Sequence, residues 1–138
     1  MSKSTNGATQ RTAVYVSGMS FRGMPVPFGS RKGPLFASSG IPGSDPETEL
    51  FPEDGALQVK FLFANIKRGI EAAGGSLEDI IKCTFHLRDE EIRQHLNASW
   101  EESFPDPASR PARHTLMLHN FPREIAVMAE FLAVLPAN

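Results

Sequence analysis

Two guanidinium groups, on Arg110 and Arg113, bracket a Pro-Ala step in the run RPARHT (Arg110 to Thr115) and enter what reads as a strand continuing through Leu116, Met117 and Leu118. A guanidinium stays charged at any cellular pH and offers parallel donors that fit a carboxylate, and the proline restricts the backbone that carries it. The chemistry this suggests is capture of a small acid. Surface ion pairing is the plain alternative, and local sequence does not decide between them. Other reactive residues fit no familiar site. His86, His95, His114 and His119 form no ligand pattern with an acid or a thiol, so no metal site is expected. Cys83 alternates with Ile81, Phe85 and Leu87 on the apolar side of one run and reads as a small core residue. There is no GxGxxG, GK[ST] or GxSxG pattern, and no cofactor is expected.

The elements that must position the arginines follow from periodicity and breakers. Residues 1–12 are polar and read as a flexible tail ahead of a single domain over 13–138. Ala13 to Val16 suits a first short strand, after which Gly18, Gly23, Pro25, Pro27 and Gly29 argue for an irregular or edge segment. Pro34 to Ser39 reads as the next strand, and Ile41 to Asp54, with Pro42, Gly43, Pro46 and Pro52, as a loop. Leu57, Phe61, Leu62, Ala64, Ile66 and Ile70 then fall at helical spacing, predicting a helix over 54–73 stopped by Gly74. Ser76 to Asp79 resembles a capping box, and 81–88 alternates as a strand. Asp89 is placed to cap a second helix carrying Ile92, Leu96, Trp100 and Phe104 on one stripe. Two strands, about 114–119 and 125–134, are joined by Asn120 to Arg123, short enough for a hairpin.

The order ββαβαββ, with helices returning to one sheet, implies an α+β two-layer sandwich with both helices on one face of a mixed sheet. For the other face the candidates include Thr84, His86, Thr115 and Met117, a mixture that suits a subunit interface. A chain of 138 residues with 41% hydrophobic content sustains one core, and a formal charge of -2 gives no basic field for nucleic acid. No apolar stretch approaches the ~18 residues needed to span a bilayer. With one cysteine and no apolar leader, the chain reads as cytoplasmic, without a membrane partner.

Five segments, in order and at family spacing, resemble the Rid family (YjgF/RidA-like reactive intermediate deaminases) from about Pro25 to Val134. They are SSGIPGSDPETELFPED (Ser38 to Asp54), NIKRGIEAAGGSLEDIIKCTFHLRD (Asn65 to Asp89), LNASWEESF (Leu96 to Phe104), RPARHTL (Arg110 to Leu116) and AEFLAV (Ala129 to Val134). The resemblance implies a chorismate-mutase-like fold, a homotrimer, and ligand sites in the clefts between subunits. It also implies that Arg113 binds the carboxylate of a 2-imino acid, whereas Arg110 matches no such role and pairs with an acid or caps the loop. Ser39 and Gly40 fall on the family's SG pair, whose backbone lines the cleft. Asn97 matches a helix asparagine near the site, with a purely structural bond to a neighbouring loop an equal reading. Thr115 stands where many members have cysteine. His114 should point away from Arg113 and is read as structural.

Two departures bear on the chemistry. Met128 stands where the best-studied members carry a glutamate thought to position or activate the attacking water, and Val26 or Phe28 replaces a tyrosine near the first strand. Glu130, on the same face of the strand as Met128 and ~6.6 Å further along, is the candidate replacement base, although the family motif has an acid there whose role looks structural. The implied activity is hydrolysis of imine or enamine acids to 2-oxo acids and ammonia, using orientation and fixed dipoles without a cofactor. The alternatives are a non-catalytic trimeric binder of small carboxylates or chaperone-like protein, and a deaminase of a larger enamine such as 2-aminomuconate. A ribonuclease, a role attached to relatives, is disfavoured by composition.

Overall fold

The computed structural model of the chain describes residues 10–137. Of the tail expected over 1–12, residues 1–9 lie outside that range, and Thr12 already opens strand β1 (Thr12–Val14). Then come β2 (Gly29–Lys32), β3 (Leu35–Ser38), the short β4 (Ile41–Pro42), helix α1 (Gly55–Ala72), β5 (Ile80–Leu87), α2 (Ile92–Ser103), β6 (Ala112–Met117) and β7 (Val127–Val134).

Local chemistry accounts for the helix bounds. Asp54 caps α1 by accepting from the Ala56 amide at 3.0 Å. Gly74, at φ +96°, turns the chain at the other end, where the Gly75 amide reaches back to the Ile70 carbonyl at 2.9 Å. Val59, Leu62, Ile66 and Ile70 are fully buried, and Gly69 lets Phe28 lie against the helix, since a Cβ there would meet the ring at 1.9 Å. In α2, Ile92, Leu96 and Trp100 are buried as the stripe predicts. The helix starts later than the Asp89 cap implied: Asp89 instead accepts from the Glu91 amide at 3.1 Å, an Asx turn leading into the first turn.

The strands form one mixed sheet ordered β1-β2-β3-β7-β5-β6, with β4 also on β7; only β5 and β6 run parallel. This order corrects two readings. The segment from Gly18 is irregular as expected only up to residue 28, and Gly29 opens a strand that pairs with β3 in a tight hairpin, Lys32 opposite Leu35, turned by Gly33 at φ +61°. The last two strands are not a hairpin. The β5-α2-β6 crossover puts β6 at the sheet edge, and β7 returns to the far side of β5 to pair with β5 and β3.

Cys83, Phe85 and Leu87 of β5 and Val127, Ala129, Phe131 and Ala133 of β7 join both helices in one core, so α1 and α2 cover the same face. The other face carries Lys82, Thr84, His86, Met128 and Glu130. Thr115 and Met117 do not belong to it. The parallel register sets Thr115 opposite Phe85 and Met117 opposite Leu87, on the helix side, and gives the free face His114 and Leu116 instead. Among the described residues, no helix is long and apolar enough to cross a membrane.

Candidate functional site

Arg113 enters β6 opposite Cys83, pointing to the helix side over aromatic rings. Its guanidinium carbon lies 5.4 Å from the centre of the Trp100 ring and 5.8 Å from that of Phe85. Both rings are buried, so the guanidinium has a rigid apolar bed. Its Nε donates to Thr115 Oγ1 at 2.8 Å, which fixes the plane of the fork and directs the two terminal nitrogens elsewhere. Among the described residues no carboxylate pairs with it. Burial, and then the charge of Arg93, hold its pKa below the usual arginine value, yet a guanidinium remains charged at neutral pH. Arg93 is itself engaged by Glu90. The arrangement is a half-buried, oriented cation lacking a counter-ion, which favours an anion with two oxygens.

Arg110 does not share this role. Its Nε donates to the Phe104 carbonyl at 2.8 Å, capping the chain just past α2, which settles its two readings in favour of the loop cap. Cys83 beside Arg113 is no nucleophile: burial pushes its thiol up to about 12, outweighing the opposing pull of the arginine. Asn97 is exposed on α2, four residues from Arg93 and three from Trp100 along the helix.

The remaining candidates lie elsewhere. Ser39 turns its hydroxyl to the Pro27 carbonyl at 2.8 Å and its amide to the Phe28 carbonyl at 2.7 Å. A Cβ on Gly40 would come within 2.9 Å of the Met128 methyl, so the methionine lies directly over the glycine backbone. Both residues line a cavity of about 500 Å3 at the corner where β4 meets β7, walled also by Phe21, Met24, Val26 and Phe51. Glu130 does not line it. Its side chain, 56% exposed, borders a separate hollow of about 220 Å3 with Lys82 and Thr84, and its Oε1 stands 3.6 Å from His86 Nε2. The buried Nδ1 of that histidine has no hydrogen-bond partner among the described residues.

One chain therefore brings together Arg113 and Thr115, and separately Gly40 and Met128, on opposite faces of the sheet. Residues that sequence reasoning passed over build the second group. Gln58 of α1 donates to the carbonyls of Pro52 (2.8 Å) and Glu124 (2.7 Å) and accepts from the Ala126 amide (2.9 Å). Asn65 donates to the carbonyls of Pro42 and Ser44, both at 3.0 Å. These buried amides moor to α1 the two loops that wall the cavity. Their signal was available: both interrupt the apolar stripe of α1 seven residues apart, hence on one face. Arg68 ties Asn65 to the Ser17 carbonyl, at the start of the loop over the cavity. Among the described residues, no cluster of three His, Cys, Asp or Glu side chains could hold a metal ion.

Comparison with known proteins agrees with this architecture. The family model described as Endoribonuclease L-PSP matches residues 27–135. A RutC family protein of Aquifex aeolicus is 34% identical over 116 residues, spanning 80% of this chain and 92% of its own. The 2-iminobutanoate/2-iminopropanoate deaminase of Escherichia coli (strain K12) is 31% identical over 103 residues, 74% of this chain and 80% of that protein. Among solved structures, RidA from the Antarctic bacterium Psychrobacter sp. PAMC 21119 matches with a TM-score of 0.76 at 28% identity, covering 92% of this chain and 98% of that one.

Proposed function

Because this chain belongs to the YjgF/RidA-like Rid family, we propose that it hydrolyses reactive 2-imino acids to 2-oxo acids and ammonia, with Arg113 as the carboxylate anchor. The observation that carries this reading is the oriented guanidinium on its aromatic bed, with which no carboxylate among the described residues pairs. The Nη groups hold the carboxylate, which places the imine carbon at a fixed distance from the arginine. Water adds to that carbon, a proton moves to nitrogen, and the carbinolamine collapses to the 2-oxo acid as ammonia departs. The imine is already electrophilic, so positioning and fixed dipoles do most of what is needed.

Arg113 and the Gly40–Met128 corner face opposite sides of one sheet, so a site using both takes one half from each of two copies. A homotrimer with clefts between subunits, as the family resemblance implies, supplies that geometry. Met128 cannot activate water, and Glu130 is turned into another hollow, which predicts a slow enzyme whose rate rises when Met128 becomes glutamate. The same two residues favour a second reading, a non-catalytic binder of small carboxylates. The ribonuclease in the name of the family model is poorly supported by a chain of formal charge -2.

The test generates imines in place with an amino-acid oxidase and follows their loss by semicarbazide trapping. Faster loss with the wild type, abolished in Arg113→Ala and increased about tenfold in Met128→Glu, supports deamination. Background loss with intact Arg113-dependent binding of 2-oxo acids identifies the binder.

A further inference from the structure

The corner cavity is larger and more apolar than the imine of a small amino acid requires. We infer that it receives the substrate's side chain, and that this chain selects 2-imino acids bearing a large, neutral, apolar side chain: branched aliphatic, thioether or phenyl. The inference rests on the reading of Arg113 as anchor and deepens it. At about 500 Å3 the cavity falls within the ~300–1,000 Å3 typical of small-molecule sites. Gly40 and Met128, which the family resemblance places in the cleft, line it.

Its lining excludes a charged side chain. Met19, Met24 and Met128 are flexible thioethers that adapt to varied apolar shapes, and Phe21, Val26 and Phe51 complete the wall. The two charged residues bordering it are already matched. Arg22 pairs with Glu124 at 2.6 Å, and Glu49 accepts from the Ser20 amide (3.1 Å) and hydroxyl (2.7 Å). A second carboxylate, as in 2-aminomuconate, would enter without an unpaired cation among the described lining residues to meet it.

The cavity is also held open. Phe21 and Arg22 adopt left-handed backbone at φ +53° and +57°, conformations that side-chain-bearing residues avoid unless their surroundings impose them. Here the surroundings are the Arg68–Ser17, Ser20–Glu49 and Arg22–Glu124 contacts, which keep the loop spanning the hollow instead of collapsing into it.

The experiment compares kcat/KM for imines generated from alanine, leucine, methionine and phenylalanine, and in parallel the affinities of pyruvate, 4-methyl-2-oxopentanoate and phenylpyruvate by calorimetry. The expected preference for large over small side chains is about tenfold or more. Val26→Trp, which fills the cavity, should cut that ratio at least about fivefold. Met24→Trp, at a position 61% exposed and therefore tolerant of bulk, should act in the same direction. A flat series, or a ratio untouched by either tryptophan in folded protein, overturns the inference. Turnover without side-chain preference removes this inference alone. Preference among the 2-oxo acids without turnover of any imine removes deamination and keeps the side-chain pocket.

Discussion

At the edge formed by β6, Arg113 keeps a charge that no acid among the described residues answers, whereas at the β4–β7 corner the nearby charges are matched and apolar surface is left open. The difference is one of construction. The arginine is placed by strand register and a single hydroxyl, with rigid rings beneath it. The cavity depends on loops moored by buried amides over distances of up to 68 positions in sequence. Affinity for an acid and choice among acids should therefore be separable by mutation.

The largest effect should follow loss of the charge. Arg113→Ala should weaken binding of 2-oxo acids by about 1.5–3 kcal/mol, some tenfold to 150-fold, whatever the side chain. Arg113→Lys should restore only part of this, since an ammonium lacks the fork. Calorimetry checks both, and an affinity in Arg113→Ala equal to that of the wild type would break the contrast from the anchor side.

Removing a mooring should act on the other region. Gln58→Leu leaves two carbonyls and one amide without their partner and should cost at least about 2 kcal/mol in denaturant unfolding. In the folded fraction it should also lower the discrimination between large and small side chains more than the affinity for pyruvate.

A pH titration probes the boundary of the arginine's influence. Cys83 has its pKa raised in the folded state, so its contribution to stability is complete below the ordinary thiol value near 9 and is lost as pH climbs toward about 12. Unfolding free energy should fall there by about 1.4 kcal/mol per pH unit more than in Cys83→Ala. Equal slopes would mean that the arginine's attraction cancels the effect of burial on the thiol.

The smallest effect is expected at Glu49, whose carboxyl the Ser20 donors hold below the usual carboxylate range. The pin is therefore complete at neutral pH and weakens in acid as the folded-state pKa is crossed. Glu49→Gln at pH 7 should reduce selectivity for large side chains by no more than about twofold, because the contact is exposed.

The long elements were legible because their signals are local. The period of α1, its glycine stop, the alternation of β5 from Cys83 onward and the four-residue stripe of α2 all stand within a residue or three of expectation, whereas Ile81, expected on the apolar side with Cys83, is exposed because the register shifts between Ile80 and Lys82. The β6–β7 hairpin was misread because a short connection resembles a turn, and only pairing partners reveal that β5 lies between the strands. Thr115 and Met117 were assigned to the wrong face for the same reason: alternation tells which residues share a side, not which side carries the helices.

The candidate site divides along that line. Residue chemistry made Arg113 a possible carboxylate fork, and the family resemblance implied its anchoring role, the Ser39–Gly40 step as cleft backbone and Met128 in place of an acid, because those properties belong to single side chains or adjacent peptides. Folding decided that Arg113 meets no carboxylate among the described residues, that Arg110 caps the chain past α2, and that Glu130 faces another hollow. It also decided that anchor and cavity lie on opposite faces of the sheet. Which charge finds a partner, and which surface stays open, depends on contacts between residues far apart in the chain, and strand order and register set those contacts.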